Sequence, residues 1–260
     1  MLRVTTLKIG ECRAPGWGAG MGGLAAIRFP ALATLIETDD ATILVDTGYG
    51  PAFFTATDGF PARIYRWLTP VTLPEGETLL RQLPRMPDLV MLTHMHGDHV
   101  SGLMDLPADM PVIASGKAIA HLCGLTDHAA IAAACPPLLR DGVLARKPSP
   151  IETRAHVATG LPGFPAGHDL LGDGRLLAVE LPGHGVGQTG LWIPEIARFL
   201  IADAAYGRAA LRSGRMPPGP VLARLGDAHA YRRTFAALRN LMRSRPDITF
   251  DPSHCHETMP

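Results

Sequence analysis

Leu92-Thr93-His94-Met95-His96-Gly97-Asp98-His99-Val100-Ser101-Gly102 is the stretch on which the fold reading turns. It follows the apolar run Leu89–Leu92, which reads as a buried strand, so the histidines emerge at a strand end. Side chains alternate along a strand with period two, and His94 and His96 therefore project to one side, where both can reach one ion. Asp98 and His99 follow at a turn and point elsewhere. The spacing predicts two metal ions side by side, one taking His94 and His96, the other Asp98 and His99. Three of the chain's 11 histidines fall within these six residues, which a merely solvated loop does not explain.

Working outward, short Val/Ile/Leu-rich runs at 3–9, 32–37, 42–46, 89–93, 112–114, 175–181, 190–193, 198–202 and 247–250 read as about nine strands. Asp39-Asp40 between two of them predicts a hairpin, and Thr47-Gly48-Tyr49-Gly50 a turn. A helix is expected over 228–243, capped by Asp227, with Tyr231, Phe235, Leu238 and Met242 on its core face and Pro246 beyond its end. Weaker helical patterns cover 116–135, broken near Gly124, and 76–83. Residues 51–75 and 140–170 are rich in proline, glycine and aromatics and read as long surface or lid loops. No linker, low-complexity block or solenoid period divides the chain, so 1–260 reads as one α/β domain.

Composition narrows the function classes. The 260 residues carry 24 Lys+Arg against 24 Asp+Glu, 47% hydrophobic and 18% charged, enough for a large core and without the net charge that drives polyanion binding. No nucleic-acid or membrane partner is expected. No stretch of 18 apolar residues and no signal-type leader is present, and Cys12, Cys123, Cys135 and Cys255 make no disulfide framework. A cytoplasmic protein with reduced thiols is the expectation. Gly18-Ala19-Gly20-Met21-Gly22-Gly23 satisfies G-x-G-x-x-G, with Asp39 downstream, but leads through Pro30 into a strand instead of opening a helix. It reads as a loop flanking the metal cleft, with Trp17 and Met21 at its tip, and no nucleotide is expected.

The H-x-H-x-D-H pattern of His94, His96, Asp98 and His99 resembles the signature of the metallo-β-lactamase superfamily, and further motifs follow in order. Ile43-Leu44-Val45-Asp46-Thr47-Gly48 is similar to the family's Asp-bearing strand end, whose Asp46 typically supports the site from behind. Leu181-Pro182-Gly183-His184-Gly185 matches its Pro-Gly-His, which implies His184 as third ligand of the first ion. Phe199-Leu200-Ile201-Ala202-Asp203 resembles the strand ending in the bridging carboxylate, and Pro252-Ser253-His254 the place of the last histidine. His254-x-His256 repeats the alternation of the first pair; the Ser-His context assigns His254 as ligand, with His256 supporting and Cys255 packed away as a thiol. The resemblance covers about residues 32–256 and implies a four-layer αββα sandwich of two mixed sheets flanked by helices. Two departures stand out: Gln188 replaces the histidine many relatives carry four residues after the one in Pro-Gly-His, and Cys255 replaces a frequent Asp.

The resemblance implies metal-assisted hydrolysis. Two divalent ions about 3.5–4 Å apart bring the pKa of a shared water toward ~7, and the resulting hydroxide attacks a polarised bond. The imidazole and carboxylate set suits zinc, iron or manganese, with zinc favoured. Asp203-Ala204-Ala205-Tyr206 is similar to the N-acyl-homoserine lactonase branch, in which a tyrosine three residues after the bridging Asp reaches the substrate carbonyl. Tyr206 would donate to the oxyanion and Asp98 pass a proton to the leaving alkoxide. Trp17, Phe53, Phe54, Phe60, Tyr65, Trp67 and Phe164 are candidates for an apolar entrance. The expected substrate is a small ester or lactone. A glyoxalase II-type thioesterase and an iron-dependent oxidoreductase are the alternatives; di-iron flavoproteins, however, carry Glu where this chain has His96.

Overall fold

The computed structural model describes residues 2–259. Seven strands form the first sheet: β1 (Arg3–Pro15), β2 (Ala26–Glu37), β3 (Thr42–Val45), β4 (Val71–Thr72), β5 (Leu89–Met91), β6 (Val112–Ala114) and β7 (Ser149–Pro150), in the order β4-β1-β2-β3-β5-β6-β7. Six form the second: β8 (Ala155–Leu161), β9 (Phe164–Asp169), β10 (Leu177–Glu180), β11 (Thr189–Ile193), β12 (Arg198–Ala202) and β13 (Thr249–Pro252), in the order β13-β12-β11-β10-β9-β8. Both sheets are mixed: β3, β5, β6 and β7 run parallel in the first and β12 with β13 in the second, the remaining pairs being antiparallel.

The helices are α1 (Pro51–Ala56), α2 (Arg63–Leu68), α3 (Leu79–Gln82), α4 (Gly97–Val100), α5 (Gly116–Gly124), α6 (Asp127–Ala132), α7 (Pro137–Ala145), α8 (Arg208–Ser213), α9 (Gly219–Leu225) and α10 (Ala228–Ser244). Period-two alternation explains how they are layered. Ile36, Ile43, Val45, Met91 and Ile113 from the first sheet meet Ala178, Leu191, Ile193 and Leu200 from the second in a central core. The intervening residues Leu35, Leu44 and Val90 point the other way and pack with Leu103, Leu122, Leu139 and Val143. On the far side Val179, Trp192, Phe199 and Phe250 pack against Tyr231, Phe235, Leu238 and Leu241 of α10. Three apolar layers between four polypeptide layers are the αββα sandwich. The Asp227 side chain accepts from the amides of His229 and Ala230, and so caps α10 where the spacing placed its start.

Two segments differ from the sequence expectation. Residues 140–170 are no loop: they finish α7 and form the β8–β9 hairpin, whose Pro162-Gly163 corner has Gly163 at φ +86°, the left-handed position a Pro-Gly turn requires. Its Val157, Thr159 and Leu161 alternate inward, a pattern masked by the small Ala158 and Gly160 between them. Residues 51–75 hold α1, α2 and β4. The Gly18–Gly23 run opens no helix and leads into β2.

One glycine ties the second sheet to α10. Gly183 sits at φ +134°, and a Cβ there would lie 2.2 Å from the Tyr231 backbone nitrogen. Gly183→Ala is expected to cost about 2–4 kcal/mol in urea unfolding through strain and overpacking. Gly59→Ala, whose Cβ would meet nothing within 4 Å, is the control and should stay within ~0.5 kcal/mol.

Candidate metal centre

Every candidate ligand arises just beyond a strand. Asp46 follows β3; Thr93, His94 and His96 follow β5, with Asp98 and His99 on α4; His184 follows β10, Asp203 follows β12 and His254 follows β13. Asp46 and Ala202 both hold left-handed backbone, at φ 58° and 47°, which turns the chain sharply at the two carboxylates. Such non-glycine residues cost on the order of 1–3 kcal/mol and cluster where side chains must be aimed.

His94, His96 and His184 form one group whose facing atoms all lie within 4.8 Å of one another. His96 Nδ1 stands 3.1 Å from both His94 Nε2 and His184 Nε2. Asp98, His99 and His254 form a second group, and His94, His99 and Asp203 a third. Asp203 joins the sets: its Oδ2 lies 3.2 Å from His184 Nε2 and 3.2 Å from His254 Nε2, and its Oδ1 lies 3.6 Å from His99 Nε2. His254 Nε2 is also 3.4 Å from Asp98 Oδ2.

A row of hydrogen bonds behind the cluster fixes which ring nitrogens face it. Asp46 accepts from the Thr93 amide at 2.8 Å and the Thr93 hydroxyl at 2.7 Å, and its Oδ2 is 2.8 Å from His99 Nδ1. The Thr93 oxygen is in turn 3.1 Å from His94 Nδ1. His254 Nδ1 donates to the Pro30 carbonyl at 2.7 Å. His94, His99 and His254 therefore each turn Nε2 inward, the usual orientation of a metal-bound imidazole. Thr93 was not singled out in the sequence, although a hydroxyl between an apolar strand and His94 is where such a partner must sit; the Pro30 carbonyl leaves no side-chain signal.

Charge follows the same logic. Burial pushes the His184 imidazole down to about 3 and His94 well below its ordinary value, which keeps both neutral and able to donate a lone pair. Burial opposes ionisation of Asp203, but His254, His184 and His99 around it hold its carboxyl well below the usual range. Divalent cations fit this donor set: imidazole nitrogens and carboxylate oxygens gather in three overlapping groups, and His99 Nε2 and Asp203 Oδ1 are buried without a hydrogen-bond partner.

Tyr206 stands beside the cluster, its ring 5.6 Å from His254 in a stacked arrangement and 5.7 Å from His184. Burial and the Asp203 charge raise its phenol well above 10, so it is protonated at neutral pH. The cavity over these groups, about 260 Å³, is lined by His96, Asp98, His184, Asp203, Tyr206 and His254 together with Trp17, Phe29, Tyr65, Val221 and Leu225. Cys12 also borders it, its thiol pushed up to about 12 by burial.

Several sequence expectations are corrected here. His256 is exposed, and its Nε2 lies 2.8 Å from the Arg28 carbonyl, away from the ligand groups and in no position to support them. Phe53 is wholly buried in the first helical layer, Phe164 belongs to the far core, and Phe60 and Trp67 pack on each other at the surface. Val221 and Leu225 of α9, which the sequence did not mark out, line the cavity. Gln188 is buried and donates to the Leu181 carbonyl, outside the ligand groups. Cys255 is a buried thiol that accepts from the Arg208 amide, as expected from the sequence.

The metallo-β-lactamase superfamily model matches residues 26–250, and the chain belongs to that superfamily. It is 30% identical over 195 residues to the probable metallo-hydrolases of Mycobacterium tuberculosis and Mycobacterium bovis, covering 68% of this chain and 57% of each relative. The chain thus spans little more than half the length of those relatives. Among solved structures, an N-acyl homoserine lactone hydrolase with N-hexanoyl-L-homoserine at its catalytic metal centre superposes with a TM-score of 0.70 at 15% identity, over 98% of this chain and 93% of that one. A dizinc quorum-quenching lactonase gives 0.63 at 15% identity, over 99% and 88%. At these identities the likeness concerns the fold. No helix among the described residues is long and apolar enough to cross a membrane.

Asp46→Ala should weaken metal retention about 10- to 100-fold, the usual effect of losing a group that orients a ligand. Dialysis against a chelator followed by elemental analysis reads this; wild-type retention would remove Asp46 from the support of the site.

Proposed function

We propose that the chain is a metal-dependent hydrolase that opens an ester or lactone, with two divalent ions, zinc first among them, held in adjacent sites. His94, His96 and His184 would hold one ion, Asp98, His99 and His254 the other, and Asp203 would serve both. The observation that carries this reading is the meeting of the two groups at a single buried carboxylate, at the floor of an apolar-walled cavity. When bound, such ions supply Lewis acidity and an acidified water at neutral pH.

The chain's own residues perform the remaining tasks. Tyr206, held protonated, donates a hydrogen bond to the oxygen on which negative charge develops as the carbonyl carbon becomes tetrahedral. Asp98, on the cavity wall, would take the proton released by the attacking water and pass it to the departing alkoxide oxygen. Trp17, Phe29, Tyr65, Val221 and Leu225 take up the apolar part of the substrate and keep bulk water off the reacting carbonyl. Two proteins that share this fold are lactonases, which supports this substrate class.

Acid release by metal-loaded protein offered a medium-chain lactone, an aryl ester, a thioester and a phosphodiester tests the reading. Preferential opening of the lactone or ester is expected; turnover confined to the thioester or phosphodiester would overturn it. His94→Ala and Asp203→Ala should lose metal and activity together, and full metal content in both would remove the ligand assignment. Tyr206→Phe should lower kcat by about 10- to 1000-fold with metal retained; an unchanged kcat would return the phenol to packing.

A further inference from the structure

Among the candidate ligands, His254 alone leaves an edge strand. β10 and β12, which lead to His184 and Asp203, have a strand on each side, and so does β5, whereas β13 pairs only with β12. An edge strand has carbonyls with no sheet partner, and its end is restrained from one side only. Arg208, the first residue of α8, acts on that free side. Its Nε donates to the Phe250 carbonyl at 2.6 Å and its Nη2 to Asp251 Oδ1 at 2.6 Å, both ahead of the ligand. Its Nη1 donates to the Glu257 carbonyl at 3.3 Å and its amide to the Cys255 thiol at 3.4 Å, both behind it.

Charge balance does not call for this residue. Asp251 is a buried carboxylate and needs a cation beside it, but Arg198 already donates to its Oδ2. The second guanidinium is surplus as a counter-charge. What separates the two arginines is where their other donors go: Arg198 reaches Thr6 Oγ1 on β1 at 3.2 Å, and Arg208 reaches the chain on both flanks of His254. Arg208 also lies two positions after Tyr206, on the segment that starts from Asp203. It therefore joins the loop bearing the phenol to the loop bearing the ligand. The two rings meet directly, Tyr206 stacked on His254 at 5.6 Å and 20°, with Phe29 edge-on to both at 6.1 and 6.4 Å.

We propose that Arg208 is a positioning residue of the metal centre: by stapling both flanks of His254 to the loop that bears Tyr206, it holds His254 Nε2 where the second ion would bind and keeps the phenol against the same ring. The inference rests on the two-ion reading given above. Arg208 touches neither ion nor substrate. It acts through the backbone around His254, as the Pro30 carbonyl acts through the ring nitrogen on the other side.

Chelator-competition titration of the full chain with Zn²⁺, run beside urea unfolding, tests this without any substrate. The wild type is expected to take up two ions. Arg208→Gln should weaken one of them about 10-fold, the lower end of the usual effect of losing a group that orients a ligand, and leave the other unchanged. With Co²⁺ in place of Zn²⁺, the visible absorption of the weakened site should differ from wild type even at saturation. Arg198→Gln is the control: it takes a cation from the same Asp251 without releasing the flanks of His254, and should lower the urea midpoint while both affinities stay at wild type. Arg208→Lys serves should the Gln variant fail to fold; a single ammonium can face Asp251 but does not span the Phe250 and Glu257 carbonyls, and it should weaken the same ion. Wild-type affinities in the Arg208 variants, or equal weakening by Arg198→Gln, overturn the inference and leave the two-ion reading standing. A wild type that takes up one ion overturns that reading and the inference with it.

Discussion

The structure depends on keeping one carboxylate charged in the interior. Asp203 is 2% exposed and stands among three imidazoles, at the point where the two ligand groups meet. An ion of that kind, alone in a protein core, costs several kcal/mol and would protonate or force the site open. The imidazoles offset part of that cost: His254, His184 and His99 hold the Asp203 carboxyl well below its usual range, while burial leaves His94 and His184 neutral. Divalent cations resolve the imbalance, and the arrangement around Asp203 makes sense as a cage for positive charge.

That cage is stiff because its supports come from the backbone frame. Asp46 reaches Thr93 and His99, Thr93 reaches His94, and the Pro30 carbonyl on β2 reaches His254. Each support lies in, or next to, the first sheet, whereas His184, Asp203 and His254 follow strands of the second. The left-handed turns at Asp46 and Ala202 show the same logic from the chain's side: local strain is tolerated where it aims a carboxylate. The apolar layers on either side of the sheets hold the strand ends in register against that strain.

Much of this was legible in the chain before any coordinates. The alternation at His94 and His96 gave a strand end with two convergent rings, and the motifs at His184, Asp203 and His254 supplied the remaining members that the fold brings together. Asp227 marked the start of α10 because a side-chain cap is a local interaction. Other features depend on contacts between distant residues and leave no local mark. Nothing near Pro30 announces that its carbonyl will orient His254, 224 residues away. His256 shares the alternation of a ligand pair but is taken to the surface by the turn after β13. The β8–β9 hairpin was hidden because its outward positions and Pro-Gly corner look like loop composition, while the inward ones are few and mixed with threonine.

The placement of the ligands on both sheets also bears on how the chain reaches its native state. His96 is joined to His184 across 88 residues of sequence, and Asp46 to His99 across 53. Contacts of such separation form late, after the loop-closure entropy has been spent, so the two halves must already lie face to face before the cage exists. An ion captured there binds only the docked arrangement, and mass action then favours docking by RT ln(1 + [ion]/Kd). A metal held there would act as a non-covalent rivet between the sheets, and the supply of metal in the surroundings would become one of the variables that set how firmly the two halves stay together.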